Sequence, residues 1–325
     1  MKALQITELT GPDAALSLVD LPEPEPSHML TPGSGVVVDV SAAGVSFPEV
    51  LQTRGEYQLK PPLPFVPGSE VAGVVRSAPD GATVKAGDRV AAFCMLGGFA
   101  EVAVAPDFLT FPLSDDLDFG QGASLILNYH TAYFSLVTRG RRQDGETVLV
   151  HGAAGGVGTA ALQVARGLGA RTIAVVSTDE KEQVARDAGA DEVRRSGGER
   201  KDQAKELGGA DLVLDPVGGD RFTDSLRSLR EGGRVVVVGF TGGSIPEVKV
   251  NRLLLNNTEV IGAGWGAFVM TKPDANREIG EAVNRLVDEG FVRPIVGARF
   301  RLEDAPKALN LIDSRGALGK VVLDV

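Results

Sequence analysis

The spacing of hydrophobic and polar residues changes near position 125. Before it, short apolar runs at 35–46, 70–79 and 85–93 alternate with turns rich in glycine, proline and aspartate. Such runs, bounded by turn residues, are typical of β-strands. The segment 21–33 carries four prolines among its first twelve residues, which predicts an extended surface connection. The first third of the chain therefore predicts a compact, barrel-like β domain.

After position 125, apolar strands alternate with helical patterns. The predicted strands are 147–153, 172–177, about 192–193, 211–217, 234–240 and 258–265. The predicted helices are 157–169, 179–189, a polar stretch that ends at the Leu-Gly-Gly of 207–209, and 221–229. This alternation predicts a parallel sheet covered by helices on both faces.

Six such strands suit a doubly wound, nucleotide-binding (Rossmann) domain. A helix at about 275–289 and a last strand at 319–325 return the chain to mixed character. We therefore expect an α/β protein of two domains. The cofactor domain is predicted at 125–266, and the β-rich domain at 1–124 and 267–325.

A glycine-rich turn joins the first strand of the predicted Rossmann domain to its helix. The segment "VLVHGAAGGVGTAALQVARGLGA" places Gly152, Gly155 and Gly158 at spacings of three. Such a turn lets the backbone approach a pyrophosphate, whose charge is stabilised at the helix N-terminus. We therefore expect Gly155, Gly156, Val157 and Gly158 to bind a dinucleotide; the alternative is a tight turn of structural use only.

The end of the second strand indicates which dinucleotide is bound. Enzymes that use NAD usually carry Asp or Glu here, to bind the ribose 2′-hydroxyl. In this chain the strand ends at Ser177, and Lys181 follows on the first helical turn, although Asp179 and Glu180 lie between them. A hydroxyl and an ammonium group bind a 2′-phosphate well, so NADPH is favoured. The alternative for Lys181 is a solvated helix residue.

Charge and composition exclude several classes of partner. The chain has 325 residues and a formal net charge of −10, whereas nucleic acids and anionic membranes need a positive surface. A single cysteine, Cys94, cannot form an intrachain disulfide, which favours a reducing compartment. No apolar run reaches the ~18 residues of a membrane span, and the start lacks a signal-peptide pattern. We expect a cytoplasmic protein.

Several motifs together resemble the medium-chain dehydrogenase/reductase superfamily over nearly the whole chain. They are "VVVDVSAAGVSFPEV", "PFVPGSEVAGVV", "GDRVAAF", "GGFAEVAVAP", "GAAGGVG" and the closing "GKVVL". The resemblance implies a GroES-like β-rich catalytic domain beside the Rossmann domain. Within the superfamily, "GVSFPEVLQTRGEYQLKPPLPFVPGSEVAG" is similar to the zinc-lacking quinone oxidoreductase (zeta-crystallin-like) branch, whose members pass a hydride from NADPH to quinones or activated alkenes.

The residues that hold zinc in related alcohol dehydrogenases are missing. Those proteins carry Cys where this chain has Ser46, and Gly-His-Glu where it reads Gly68-Ser69-Glu70. Zinc needs three or four Cys, His or carboxylate ligands in one place. This chain has one cysteine and three histidines, of which His28 lies in the proline-rich connection and His151 at a strand end. We therefore expect no metal.

The missing zinc ligands narrow the class of compound that is expected to accept the hydride. Hydride transfer to a simple ketone creates an alkoxide, whose conjugate acid has a pKa near that of water (~15.7), and zinc stabilises it strongly. A quinone or an enone gives a phenolate or enolate instead, and phenols ionise near pKa ~10. The phenolate or enolate therefore needs roughly 8 kcal/mol less stabilisation than the alkoxide. One or two hydrogen-bond donors, at about 2.7–4 kcal/mol each, are enough to stabilise it.

Two side chains are candidate donors. Tyr57 matches a tyrosine that lines the active-site cleft of the quinone reductase branch, and its phenol can act as donor or proton source; the alternative is a packed surface aromatic. Ser46 stands where many members of that branch have asparagine. Its hydroxyl can donate to the substrate or simply fill a turn.

The resemblance implies further cofactor contacts and a quaternary structure. The contacts are Thr131, Val217, Gly239, Phe240, Thr241, Gly264 and Trp265, with Trp265 equally suited to the core. The apolar strand 258–265 is predicted at the sheet edge, and edge strands need cover. The branch commonly pairs this strand across a two-fold axis, which implies a homodimer.

The sequence favours an NADPH-dependent reductase of small quinones or enones. Two alternatives stay open: a reductase of alkenals or enoyl thioesters in the same superfamily, and a protein that binds NADPH without turnover.

Overall fold

The computed structural model describes residues 1–196 and 208–325. Residues 1–127, 270–280 and 294–325 form one compact unit, and residues 128–269 and 281–293 form a second. The polar helix predicted to end at 207–209 lies largely outside the described residues. The connection 21–27 contains neither helix nor strand and is largely exposed, as its prolines predict.

Strands β1–β15 run through both units. They are β1 Lys2–Ile6, β2 Leu16–Asp20, β3 Val36–Val45, β4 Glu70–Ser77, β5 Arg89–Phe93, β6 Val102–Ala105, β7 Thr110–Pro112, β8 Thr147–His151, β9 Arg171–Val176, β10 Glu192–Arg195, β11 Ala210–Asp215, β12 Leu229–Val237, β13 Glu259–Gly262, β14 Val296–Arg301 and β15 Lys320–Asp324.

Helices α1–α10 connect and cover these strands. They are α1 Phe47–Thr53, α2 Phe119–Gly122, α3 Thr131–Tyr133, α4 Gly156–Gly167, α5 Asp179–Asp187, α6 Phe222–Arg227, α7 Asn251–Asn256, α8 Trp265–Thr271, α9 Pro273–Asp288 and α10 Ala305–Asp313. Wider π-helical turns, Ile126–His130 and Phe134–Arg139, flank α3. No described helix combines the length and the apolar character needed to cross a bilayer. The expected cytoplasmic location stays a prediction.

The first unit is built on a seven-stranded sheet in the order β14-β15-β3-β4-β5-β7, with β6 also paired to β3. Its strand pairs are antiparallel except for β14 with β15. Val45 of β3, Val71 of β4 and Leu323 of β15 share one buried apolar cluster with Leu309 of α10. Burial of these side chains, at about 25 cal/mol per Å² of apolar surface, stabilises the sheet. This is the expected β-rich domain.

The second unit is built on six parallel strands in the order β10-β9-β8-β11-β12-β13. Counted from its first strand, this is the order 3-2-1-4-5-6 of a doubly wound dinucleotide-binding domain. The strands are apolar because both faces are covered; Leu149, Val213 and Val235 are nearly inaccessible to solvent. The α/β fold class expected from the sequence is confirmed.

Residues 281–293 belong to the second unit. The domain bounds predicted from the sequence place them in the first unit. The Gln163 side-chain oxygen accepts the Arg293 N–H at 2.9 Å, and its amide donates to the Arg293 carbonyl at 2.9 Å. A Cβ at Gly167 would lie 2.8 Å from Leu286 and 3.0 Å from Phe291. Helix α4 therefore holds this segment by close packing.

Several elements begin or end at residues other than those predicted from their apolar runs. Strand β13 ends at Gly262, and Trp265 begins α8 instead of ending the strand. Strand β11 ends at Asp215, whose carboxylate accepts the N–H groups of Val217 and Gly218 at 2.9 Å and turns the chain. Strand β12 starts at Leu229, so α6 is shorter than predicted.

Glycine is required at position 158 by the close approach of α4 to the preceding turn. A Cβ there would lie 2.2 Å from the Gly152 carbonyl oxygen and 2.6 Å from the Ala153 Cα. Both contacts are to backbone, which cannot move without shifting strand β8 or the helix.

We expect Gly158→Ala to lower the free energy of unfolding by about 1–3 kcal/mol, the cost of overpacking a rigid site. Denaturant unfolding followed by circular dichroism measures it. Gly266→Ala in α8 is the matched control, because nothing lies within 4 Å of the added methyl. Equal stability of the Gly158→Ala protein and the wild type would contradict this account of α4 packing.

Candidate functional site

The segments predicted to bind the cofactor lie at one edge of the parallel sheet. The glycine turn follows β8, Ser177 follows β9, Val217 follows β11, the 239–241 segment follows β12, and Gly264 follows β13. The strand registers are nearly aligned, with Asp215 opposite Val237 and Val237 opposite Gly262. Because all six strands are parallel, every one of these segments follows a carboxyl end, where open α/β sheets bind ligands.

The glycine turn presents backbone N–H groups at the start of α4. Gly152 adopts a positive φ of 57°, and the Gly155 N–H donates to its carbonyl at 3.0 Å. Gly155 is the helix N-cap, so Gly156, Val157 and Gly158 form the first turn, whose N–H groups have no partner one turn earlier. A Cβ at Gly156 would lie 2.6 Å from the Asn128 side-chain nitrogen. This geometry fits a pyrophosphate group.

Two further loops are joined directly beside that turn. The backbone N–H and hydroxyl of Thr241 both lie 3.1 Å from the Pro216 carbonyl oxygen, to which they donate. The Gly242 N–H donates to the Val217 carbonyl at 2.7 Å. The Val217 side chain would lie 3.1 Å from a Cβ at Gly152. The structure therefore brings Val217, the 239–241 segment and the glycine turn together.

The ends of β9 and β10 carry basic side chains, and one of them, Arg195, was not predicted from the sequence. Ser177 is exposed and Lys181 is partly exposed at the start of α5. Arg195, at the end of β10, pairs with Asp179 and lies 2.8 Å from a Glu182 carboxylate oxygen. Its guanidinium offsets the two acidic side chains near Lys181. The available signal was the Arg194-Arg195 pair beside a strand that is parallel to β9.

Thr131 and Trp265 are buried, whereas Gly264 and Phe240 are accessible. Trp265 is 2% exposed and meets the His130 ring edge-on, with 5.7 Å between ring centroids. Its indole therefore packs in the interior of the second unit, one of the two roles open to it from sequence. Gly264 immediately precedes it with an exposed backbone.

In the first unit, Ser46 and Glu49 define the turn from β3 into α1. The Ser46 N–H donates to a Glu49 carboxylate oxygen at 2.9 Å, as in a capping box, and Pro48 occupies the first helical turn. The other Glu49 oxygen accepts the N–H and hydroxyl of Ser69 at 3.0 and 2.6 Å. Glu49 is 1% exposed.

A buried ion pair lies beside this turn. The Lys320 ammonium donates to the Glu70 carboxylate and, at 2.7 Å, to the Ser46 hydroxyl oxygen. Lys320 is 4% exposed and Glu70 is inaccessible to solvent. The second Glu70 oxygen accepts the Leu127 N–H at 2.9 Å. Ser46, Glu49, Ser69, Glu70 and Lys320 form one network, the polar cluster, in which Ser46 is partly exposed and the other four residues are buried.

Burial sets the protonation of the groups around the polar cluster. Burial raises the pKa of Glu49 above its ordinary value, although the Ser69 hydrogen bond and the Lys320 charge oppose this. Burial also raises the pKa of the half-buried Tyr57, and the Glu49 charge adds to that effect. The Tyr57 phenol is therefore protonated at neutral pH, and it can donate a hydrogen bond.

The polar cluster does not fit zinc. It includes the hydroxyls of Ser46 and Ser69, which are not among the usual ligands of this metal. The Lys320 ammonium, 2.7 Å from the Ser46 oxygen, would repel a dication. In the described part of the chain, no group of three or more His, Cys, Asp or Glu side chains is arranged to hold a metal ion.

His28 and Cys94 are buried in the first unit and have structural roles. One His28 ring nitrogen accepts the Leu30 N–H at 3.1 Å, so the other is protonated and donates to the Cys94 carbonyl at 3.0 Å. Burial lowers the pKa of His28, which favours this neutral form. Burial raises the pKa of the Cys94 thiol, which is 1% exposed, as expected of a small buried apolar residue.

Comparison with known proteins places this geometry in a family. Residues 32–115 match the alcohol dehydrogenase GroES-like domain, and residues 156–284 match the zinc-binding dehydrogenase family. The chain is 35% identical to rat quinone oxidoreductase (Rattus norvegicus), covering 99% of this chain and 97% of the relative.

Two solved structures extend the similarity. The quinone oxidoreductase of Thermus thermophilus, also solved in complex with NADPH, superposes with a TM-score of 0.83 at 36% identity over all of both chains. A probable oxidoreductase of Mycobacterium abscessus gives a TM-score of 0.88 at 44% identity, over 100% of this chain and 99% of that one. The chain therefore belongs to the medium-chain dehydrogenase/reductase superfamily of oxidoreductases, in its quinone oxidoreductase-like branch.

Proposed function

We propose that this protein is an NADPH-dependent reductase that passes a hydride to quinones or other conjugated carbonyl compounds without a metal. The observation that carries the proposal is the polar cluster. Where related dehydrogenases hold zinc, this chain holds hydroxyl groups and an ammonium. Hydrogen-bond donors of this kind can stabilise a phenolate or an enolate, but they are weak substitutes for zinc beside an alkoxide.

The second unit supports NADPH as the cofactor. The close-packed glycines and the N-terminus of α4 suit the pyrophosphate. Ser177, Lys181 and Arg195 suit a 2′-phosphate, and Arg195 neutralises Asp179, one of the two acids that weighed against this assignment. NADPH, when bound, supplies the hydride. Val217, Gly239, Phe240 and Thr241 line the neighbouring carboxyl ends of the strands, where the rest of the dinucleotide belongs.

The first unit supports an acceptor that gains negative charge on oxygen. The Tyr57 phenol is protonated at neutral pH because burial and the Glu49 charge raise its pKa. It therefore serves as a hydrogen-bond donor and a proton source, not as a base. The Ser46 hydroxyl is the second donor. At about 2.7–4 kcal/mol for each donor, the two can stabilise the oxyanion of a conjugated acceptor.

We also propose that the protein is a homodimer. Leu254 and Leu255 of α7 are 78% and 75% exposed, and Val260 of the neighbouring edge strand β13 is 39% exposed. In the described sheet, β13 pairs only with β12, which leaves one strand edge open. Exposed leucines on a helix beside an open strand edge are a poor surface for a monomer. A second copy would cover both by pairing β13 with β13 across a two-fold axis.

We expect purified protein to oxidise NADPH with a panel of small quinones but not with acetone, and to leave ethanol unoxidised when NADP⁺ is supplied. Tyr57→Phe should lower kcat on the order of 100-fold, because one donor or proton source is lost. Stopped-flow absorbance at 340 nm measures both. Tyr133→Phe controls for the loss of a phenol elsewhere.

Turnover confined to enoyl thioesters or alkenals would select that class of reductase, and tight NADPH binding without turnover would indicate a binding protein.

For the cofactor, Lys181→Ala and Arg195→Ala should each raise the KM for NADPH about tenfold, the equivalent of one charge-assisted hydrogen bond of about 1.5 kcal/mol. The KM for NADH should stay constant, because NADH lacks the 2′-phosphate. Steady-state kinetics with both nucleotides checks this, with Lys307→Ala on the first unit as control. Equal changes for NADH and NADPH would remove these side chains from phosphate recognition.

For the assembly, light scattering after size exclusion should give about 68 kDa, twice the chain mass of 33.9 kDa. Replacing Leu254 and Leu255 together by arginine should give the monomer, because two buried charges would oppose pairing. Met29→Arg, at an exposed apolar residue of the first unit, should stay dimeric. A wild-type mass of a single chain would refute the dimer.

A further inference from the structure

The Lys320 ammonium fixes the direction in which the Ser46 hydroxyl can donate. An ammonium has donors and no acceptor, so at 2.7 Å the Ser46 oxygen must accept from it. The Ser46 proton must then point away from Lys320. The Ser46 N–H is already bound to Glu49 at 2.9 Å, which holds the residue in place.

Lys320 is itself held from both sides. Its Glu70 partner is fully buried, and the second oxygen of Glu70 is bound to the Leu127 N–H at 2.9 Å. The ammonium therefore cannot turn to solvent without leaving a buried carboxylate unpaired, which is unfavourable. A hydrogen bond from a cation also polarises the hydroxyl that accepts it, so the hydroxyl becomes a stronger donor.

We propose that Lys320 is a positioning residue that aims the Ser46 hydroxyl at the acceptor oxygen that becomes negative during hydride addition. This inference rests on the proposed function and deepens it. Ser46 touches the acceptor, and Lys320 acts through Ser46. The step involves hydrogen bonding only: the hydride adds to the conjugated acceptor, the electron pair moves to its oxygen, and the Ser46 O–H donates to that oxygen.

Kinetics of variants test the coupling of the two residues. Ser46→Ala and Lys320→Met should each lower kcat about 100-fold for an alkenal, the loss expected for one oxyanion donor. The loss should be smaller for a benzoquinone, whose product oxyanion is less basic. The double variant should be no slower than either single variant. The Kd for NADPH, measured by fluorescence titration, should stay within about twofold.

Folding is controlled separately, because Lys320→Met leaves Glu70 unpaired. The variant Lys320→Met with Glu70→Gln removes both charges, and it should show the same loss of kcat with a restored thermal midpoint. Ser46→Thr retains a hydroxyl and should retain most of the activity. Lys307→Met is the matched lysine control, since Lys307 is 72% exposed on the same unit.

A thiol at position 46 reports the contact without any turnover. In Ser46→Cys, the Lys320 ammonium should favour the thiolate and lower the pH midpoint of iodoacetamide alkylation. The midpoint should lie about one pH unit or more below that of the same variant carrying Lys320→Met and Glu70→Gln. The native Cys94 is buried and does not interfere.

The outcomes separate this inference from the proposed function. Additive losses in the double variant, equal losses for both acceptors, or an unshifted alkylation midpoint would overturn the positioning role while quinone reduction stands. A shifted midpoint in a protein that reduces neither acceptor would overturn the proposed function, and the catalytic role of Ser46 and Lys320 with it.

Discussion

The first unit depends on a buried ion pair. Lys320 on β15 meets Glu70 on β4, and both are nearly inaccessible to solvent. Removing either partner from such a pair typically costs about 3–5 kcal/mol, because the remaining charge stays buried and unpaired. The pair therefore fixes the last strand of the chain against the centre of the sheet. It also brings an ammonium to the start of α1, where Ser46 and Glu49 organise the turn.

The polar cluster combines hydroxyl groups with an ammonium, a combination that does not suit zinc. Ser46 and Ser69 contribute hydroxyl groups to the cluster, and Lys320 contributes its positive charge. Burial then sets the protonation of nearby groups, and it keeps Tyr57 a phenol by raising its pKa. Such an arrangement can donate hydrogen bonds to an anion, and under the proposed function that anion is the delocalised oxyanion of a conjugated acceptor.

The second unit depends on a different constraint, the close approach of a helix to a turn. Parallel strands place their carboxyl ends at one edge, and the missing side chains of Gly156 and Gly158 let α4 begin against that edge. Hydrogen bonds from Thr241 and Gly242 then join the loops after β11 and β12. The resulting surface offers backbone N–H groups in its centre and basic side chains at the end of β9 and β10.

The sequence by itself determined the features that depend on local pattern. The alternation of apolar strands and helices gave the α/β class, and the spacing of Gly152, Gly155 and Gly158 gave the turn, because both depend on residues close together in the chain. The lack of cysteine and histidine ligands was likewise visible in composition. Element ends were less certain, since the Asp215 side chain, not an apolar run, ends β11.

Only the tertiary structure decided which distant residues meet. Lys320 lies 274 positions from Ser46, and Arg195 reaches Asp179 because β10 pairs with β9. Residues 281–293 joined the second unit through Gln163. No periodicity encodes these contacts. They arise when sheets bring separate strands side by side and when burial forces each polar group to find a partner.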